Sequence, residues 1–121
     1  MKNLCSLLAC MWLIVACQED NKKELLFGKW KAVEWVVSGK KSDRDLSSVR
    51  FEFKADDSYW ATYASERESG AYRFKGDKLY TLAKEGNKIE KMVMLLKLTK
   101  DSMIMDMNRV GTSEQLILIK E

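Results

Sequence analysis

The sequence predicts an all-β domain: an eight-stranded antiparallel up-and-down barrel behind a short helical turn. Three observations predict it. After residue 26 no window keeps a 3.6-residue apolar period, and short runs alternate apolar and polar residues with period two instead. Turn residues punctuate those runs often enough to mark eight strands. The chain has 121 residues, 46% hydrophobic and 32% charged, which fits one domain and is too polar for a polytopic membrane protein. Eight short strands with tight links close into a barrel, which leaves no exposed edge; an open sandwich is the alternative.

Residues 1–16 read as a secretory signal. Met1-Lys2-Asn3 is a short cationic start, and the stretch from Leu4 to Val15 is apolar apart from Ser6. It is too short to span a bilayer, which takes about 20 apolar residues. The ending Leu13-Ile14-Val15-Ala16-Cys17 resembles the lipobox of bacterial lipoproteins. That resemblance implies cleavage before Cys17, a lipid on Cys17, and anchorage in the bacterial cell envelope, with the outer membrane expected. A cleaved signal with an incidental Cys, or an uncleaved anchor, are the alternatives. Cleavage removes Cys5 and Cys10, so Cys17 alone remains and no intramolecular disulfide forms. Residues 17–24 then form a lipidated Cys and polar tether, and residues 25–121 the barrel domain.

Glu24-Leu25-Leu26-Phe27 reads as the helical turn. The first strand covers 29–38, and the long connection from Gly39 to Ser48 crosses one mouth of the barrel. Strands follow at 49–54, 59–64, 70–75, 78–83, 88–98, 102–108 and 115–120. Turn chemistry sets several registers. A two-residue Gly76-Asp77 loop pairs Phe74 with Leu79 and Tyr72 with Thr81, placing all four inward. A three-residue loop Ala55-Asp56-Asp57, with Asp57 left-handed, pairs Phe53 with Tyr59, Phe51 with Ala61 and Val49 with Tyr63. A Lys100-Asp101 turn pairs Leu98 with Met103, Leu96 with Met105 and Met94 with Met107, a wholly apolar face. Strand parity points Trp35 and Trp60 outward, as contact surfaces for a protein partner, unless a bulge in the first strand buries Trp35.

Gly28-Lys29-Trp30, directly after the helical turn, resembles the Gly-x-Trp signature of lipocalins. The strand spacing, Phe51-Glu52-Phe53-Lys54-Ala55-Asp56-Asp57-Ser58-Tyr59 and Gly70-Ala71-Tyr72-Arg73-Phe74-Lys75-Gly76-Asp77-Lys78-Leu79 are similar to the small lipocalin-like domains of bacterial lipoproteins. The resemblance covers about residues 25 to 120. It implies that Gly28 and Trp30 close one end of the barrel and that the interior carries a small apolar ligand. The Thr-Asp-Tyr motif of typical lipocalins is absent, and Arg109 is the one candidate for the late Arg that packs on their Trp.

The composition narrows the chemistry. There are no His residues, hence no imidazole base and no His-ligated metal. No free thiol remains after lipidation. Asp56-Asp57 reads as a turn, and Asp43-Arg44-Asp45 and Glu66-Arg67-Glu68 as solvated loops. No titratable pair stands out for catalysis, so a non-enzyme without cofactor or metal is expected. A net charge of +3 from 21 Lys and Arg against 18 Asp and Glu, with no long basic run, argues against nucleic acid. Met92, Met94, Met103 and Met105, with Tyr59, Tyr63 and Tyr72, form the expected ligand-binding interior. A well-filled core that serves only as a protein-interaction module accounts for the same residues without a ligand.

Overall fold

The structure is a computed structural model that describes residues 22–86, 88–108 and 111–121. Cys17 and its lipobox, and Arg109, lie outside the described residues. Residues 22–26 form a short helix. The strands are β1 (Gly28–Val37), β2 (Lys40–Lys41), β3 (Arg50–Phe53), β4 (Ser58–Tyr63), β5 (Glu66–Lys75), β6 (Lys78–Ala83), β7 (Lys91–Leu98), β8 (Ser102–Asp106) and β9 (Glu114–Lys120).

Neighbouring strands pair antiparallel around the ring, and β1 pairs with β9 to close it. The two-residue β2 stands outside this eight-strand barrel, folded back on the upper end of β1. Ser38 and Gly39 link them with φ of 50° and 80°, the twin positive dihedrals of a tight hairpin turn. Two expected registers hold. Phe74 faces Leu79 and Tyr72 faces Thr81 across β5–β6. Phe53 faces Tyr59 and Phe51 faces Ala61 across β3–β4, with Asp57 left-handed at φ 67°. The expected loop at residues 65–69 is strand instead: β5 starts at Glu66, and Ala64 at φ 52° helps make the turn from Tyr63.

Two bulges reset the inside–outside alternation. In β1 the register slips between Ala32 and Glu34, so Val33 swings out and Trp35 turns in, 7% exposed. Trp35 is therefore a core residue, as the bulge alternative required. In β7 the register slips between Leu95 and Lys97. Leu95, not Leu96, faces Met105. Leu95 is 6% exposed and Leu96 51%. Everything N-terminal to that bulge reverses, so Met94, expected inside, is 40% exposed on the outer surface opposite Asp106.

Trp30 closes one end. Its Nε1 donates to the carbonyl of Leu26, 2.9 Å away, which ties the helix beneath the barrel. Lys120 Nζ lies 4.5 Å from the centroid of the Trp30 ring and donates to the carbonyls of Leu25, at 3.1 Å, and Phe27. Lys120, from the last strand, thus supplies the cation over Trp30. Gly28 makes room for it: a Cβ there would meet Lys120 Cδ at 3.3 Å, and its φ of +120° disfavours other residues. Phe53, Leu79, Met103, Leu116 and Leu118 fill the core, each almost fully buried. Gly70 permits close approach of β5 to β6, since a Cβ would stand 2.0 Å from the Leu82 carbonyl oxygen.

Candidate functional site

The helix and the turns at 54–57, 76–77 and 99–101 share the closed end. The connecting residues 38–49, 64–65, 84–86, 88–90, 107–108 and 111–113 share the other. A cavity of about 600 Å³ occupies that other end.

Its depth is apolar and aromatic, built from alternating inward positions on β3, β4, β6 and β8: Phe51, Phe53, Tyr59, Leu79 and Met105. The rings brace one another. Phe51 lies parallel to Phe53 at 6.1 Å and meets Tyr63 edge-on at 5.7 Å. Above them the wall turns polar. Glu66 and Glu68 enter from β5, Thr81 from β6 and Lys91 from β7. Tyr59 donates its hydroxyl proton to Glu68 Oε2 at 2.9 Å, and Lys91 Nζ lies 3.4 Å from Glu68 Oε1. Burial pushes the Tyr59 phenol pKa well above its ordinary value; the hydrogen bond and charge of Glu68 add to this and Thr81 opposes it. Tyr59 therefore stays a neutral donor.

The long loop after β2 folds over the mouth, contributing Arg44, Asp45 and Leu46. Arg44 stacks on Trp35, its guanidinium carbon 4.5 Å from the ring centroid. Trp35 Nε1 in turn donates to Glu114 Oε1 at 3.2 Å. The loop is pinned where Ser42 N–H donates to the Trp35 carbonyl at 2.7 Å and Ser47 N–H to Asp45 Oδ1 at 3.0 Å. Those bonds from Ser47 hold the Asp45 carboxyl below the usual carboxylate pKa.

The structure brings together four of the seven expected ligand-binding residues: Tyr59, Tyr63, Met92 and Met105 all line the cavity. Met92 does so from the rim, 47% exposed. The other three do not line it. Tyr72 is buried below, its hydroxyl donating to the Lys54 carbonyl at 2.7 Å and its ring edge-on to Phe53 at 5.2 Å. Met103 is packed solid in the core. Met94 lies outside, for the reason of the β7 bulge. Gly28 and Trp30 stand at the closed end, away from the site. Trp60 is half-buried on the outer face, with Arg67 at 5.1 Å from its ring.

Sequence reasoning missed Glu66, Glu68, Arg44, Lys91 and Trp35 as wall residues. Parity held the signal for two of them: stepping back by twos from Tyr72 through Gly70 reaches Glu68 and Glu66. Among the described residues no group of acidic, Cys or His side chains is arranged to hold a metal ion. No described helix is long and apolar enough to cross a membrane.

No protein-family model matches the chain, and no curated protein does. Solved structures do. A lipocalin-like protein from Bacteroides uniformis superposes with a TM-score of 0.63 at 18% identity, over 80% of this chain and 99% of that one. An uncharacterized protein from Bacteroides eggerthii superposes with a TM-score of 0.62 at 19% identity, over 79% of this chain and 99% of that one. At such identities the likeness establishes architecture: this chain has the closed, eight-stranded, lipocalin-like barrel fold.

Proposed function

We propose that this protein is a lipid-anchored, non-catalytic binding barrel of the bacterial cell envelope that holds one small, largely apolar molecule in its open end. The cavity of about 600 Å³ carries the reading. A barrel of eight strands is just wide enough to be filled by its own side chains or to hold one small ligand. Ligand pockets commonly run from roughly 300 to 1,000 Å³, are mostly apolar, and place a few polar groups to orient the occupant. Here Phe51, Phe53, Leu79 and Met105 supply the apolar depth, and Tyr59, Glu68 and Thr81 the polar groups.

The lipobox at residues 13–17 supports the anchor, with the lipid on Cys17 in the outer membrane. The described chain begins at the closed end, where Lys22 Nζ sits 3.4 Å from Asp77 Oδ1 in the β5–β6 turn. The five residue steps from Cys17 to Lys22 reach at most roughly 18 Å when extended. An anchor on Cys17 therefore keeps the closed end against the bilayer and turns the mouth away from it. Ligand would enter from the aqueous side.

Titration of the purified protein with N-phenyl-1-naphthylamine, a neutral apolar fluorophore, tests the binding reading. Saturable uptake at one site is expected, with its loss in Val93→Trp, which fills the cavity from β7. A folded wild-type barrel that ignores the fluorophore overturns the reading.

A further inference from the structure

The occupant's polar end can be inferred from the wall, on the strength of the binding reading just given. On β5, Glu68 lines the cavity with Glu66 above it at the exposed rim, and Gly70 and Tyr72 continue the same face toward the closed end. A barrel interior that only had to fill itself would place apolar side chains there. Glu68 is instead drawn in, its side chain 24% exposed, and held by the Tyr59 hydroxyl at 2.9 Å.

That hydrogen bond sets what the site offers. The Tyr59 proton is directed at Glu68, so the phenol has no proton left to donate to the cavity. Glu68 has acceptor sites on both oxygens, and the ion pair Oε1 makes among the described residues is with Lys91, at 3.4 Å and with a lysine side chain 64% exposed. A lysine so exposed and so distant is easily displaced. The charged side chains lining the cavity are Asp45, Glu66 and Glu68 against Arg44 and Lys91. Arg44 is stacked on Trp35 at the mouth. Around Glu68 the inner wall therefore carries carboxylate acceptors, and its other polar groups, Thr81, Tyr63 and Asn108, are uncharged. A ligand carboxylate placed there would face Glu68 across an apolar floor, which is repulsive in a low-dielectric site.

We infer that the barrel binds an amphipathic amine, its apolar body on Phe51, Phe53, Leu79 and Met105 and its protonated nitrogen on the Glu68 carboxylate in place of Lys91. The ammonium supplies a cationic donor to the Glu68 carboxylate, in a charge-assisted hydrogen bond.

Displacement of N-phenyl-1-naphthylamine by three ligands of equal chain length, dodecylamine, dodecanol and dodecanoate, reads the preference. Dodecylamine is expected to bind roughly tenfold tighter than dodecanol, the scale of one charge-assisted hydrogen bond, with dodecanoate weakest. Glu68→Gln is expected to erase the amine's advantage over dodecanol in the same displacement series. Glu68→Asp, which keeps the charge on a shorter stem, is expected to keep part of the advantage. Dodecanoate binding as tightly as dodecylamine, or an amine preference that survives Glu68→Gln, overturns the inference. A barrel that takes dodecanol without preferring the amine overturns the amine alone. One that takes none of the three overturns the binding reading with it.

Discussion

Tyr72 and Tyr59 sit on the same wall and donate to different partners, a carbonyl and a carboxylate. Burial first, then the charges of Asp57 and Asp56, push the Tyr72 pKa from its usual 10.0 up to about 12. Tyr59 shifts the same way. The fold thus keeps both phenols protonated where the unfolded chain would ionise them. Their contribution is intact below about pH 10 and is lost as pH rises toward about 12. For Tyr72 the loss amounts to roughly 2–3 kcal/mol at most. Urea unfolding at about pH 9 and about pH 11 should show stability falling, and Tyr72→Phe should fall less steeply. At the other end, Lys120→Met keeps apolar packing over Trp30 but strips the donors from the carbonyls of Leu25 and Phe27. A loss of about 1–3 kcal/mol is expected by the same measurement.

Turn chemistry made much of the element scale legible. Gly76-Asp77 and Ala55-Asp56-Asp57 each dictated a register that the strands adopt, because turn length and a left-handed residue leave one pairing open. The bulges were harder to read. The extra residue in β7, Leu96, carries no composition signal, since it follows Leu95 and the two are equally hydrophobic. Pairing back from Lys100-Asp101 without a bulge buried the wrong leucine and carried Met94 inside with it. The expected cost follows the observed register: Leu95→Ala should lose about 2–4 kcal/mol and Leu96→Ala well under about 1 kcal/mol. The site was legible in part: of the expected interior residues, Tyr59, Tyr63 and Met105 border the cavity and Met92 touches it from the exposed rim. Its carboxylates were not, since Glu66-Arg67-Glu68 has the composition of a solvated loop and only the strand's early start turns Glu68 inward and brings Glu66 to the rim.

At the scale of the molecule, β1 pairing with β9 seals the ring and brings Lys120 onto Trp30, so closure and capping are one event. The same ring separates a solid end from a hollow one. Trp30, Met103 and Leu118 belong to the first; Glu68, Tyr63 and Met92 border the second. An anchor on Cys17 is expected to make the protein partition into membranes, and Cys17→Ser to release it to the soluble fraction, read by fractionation. The central claim is that the hollow end holds a ligand. Native mass spectrometry of the gently purified protein, beside Val93→Trp, tests it most directly. The expected result is one additional small molecule on the wild type, released by organic solvent and absent from Val93→Trp. A bare wild-type mass that stays bare when N-phenyl-1-naphthylamine is offered would contradict it.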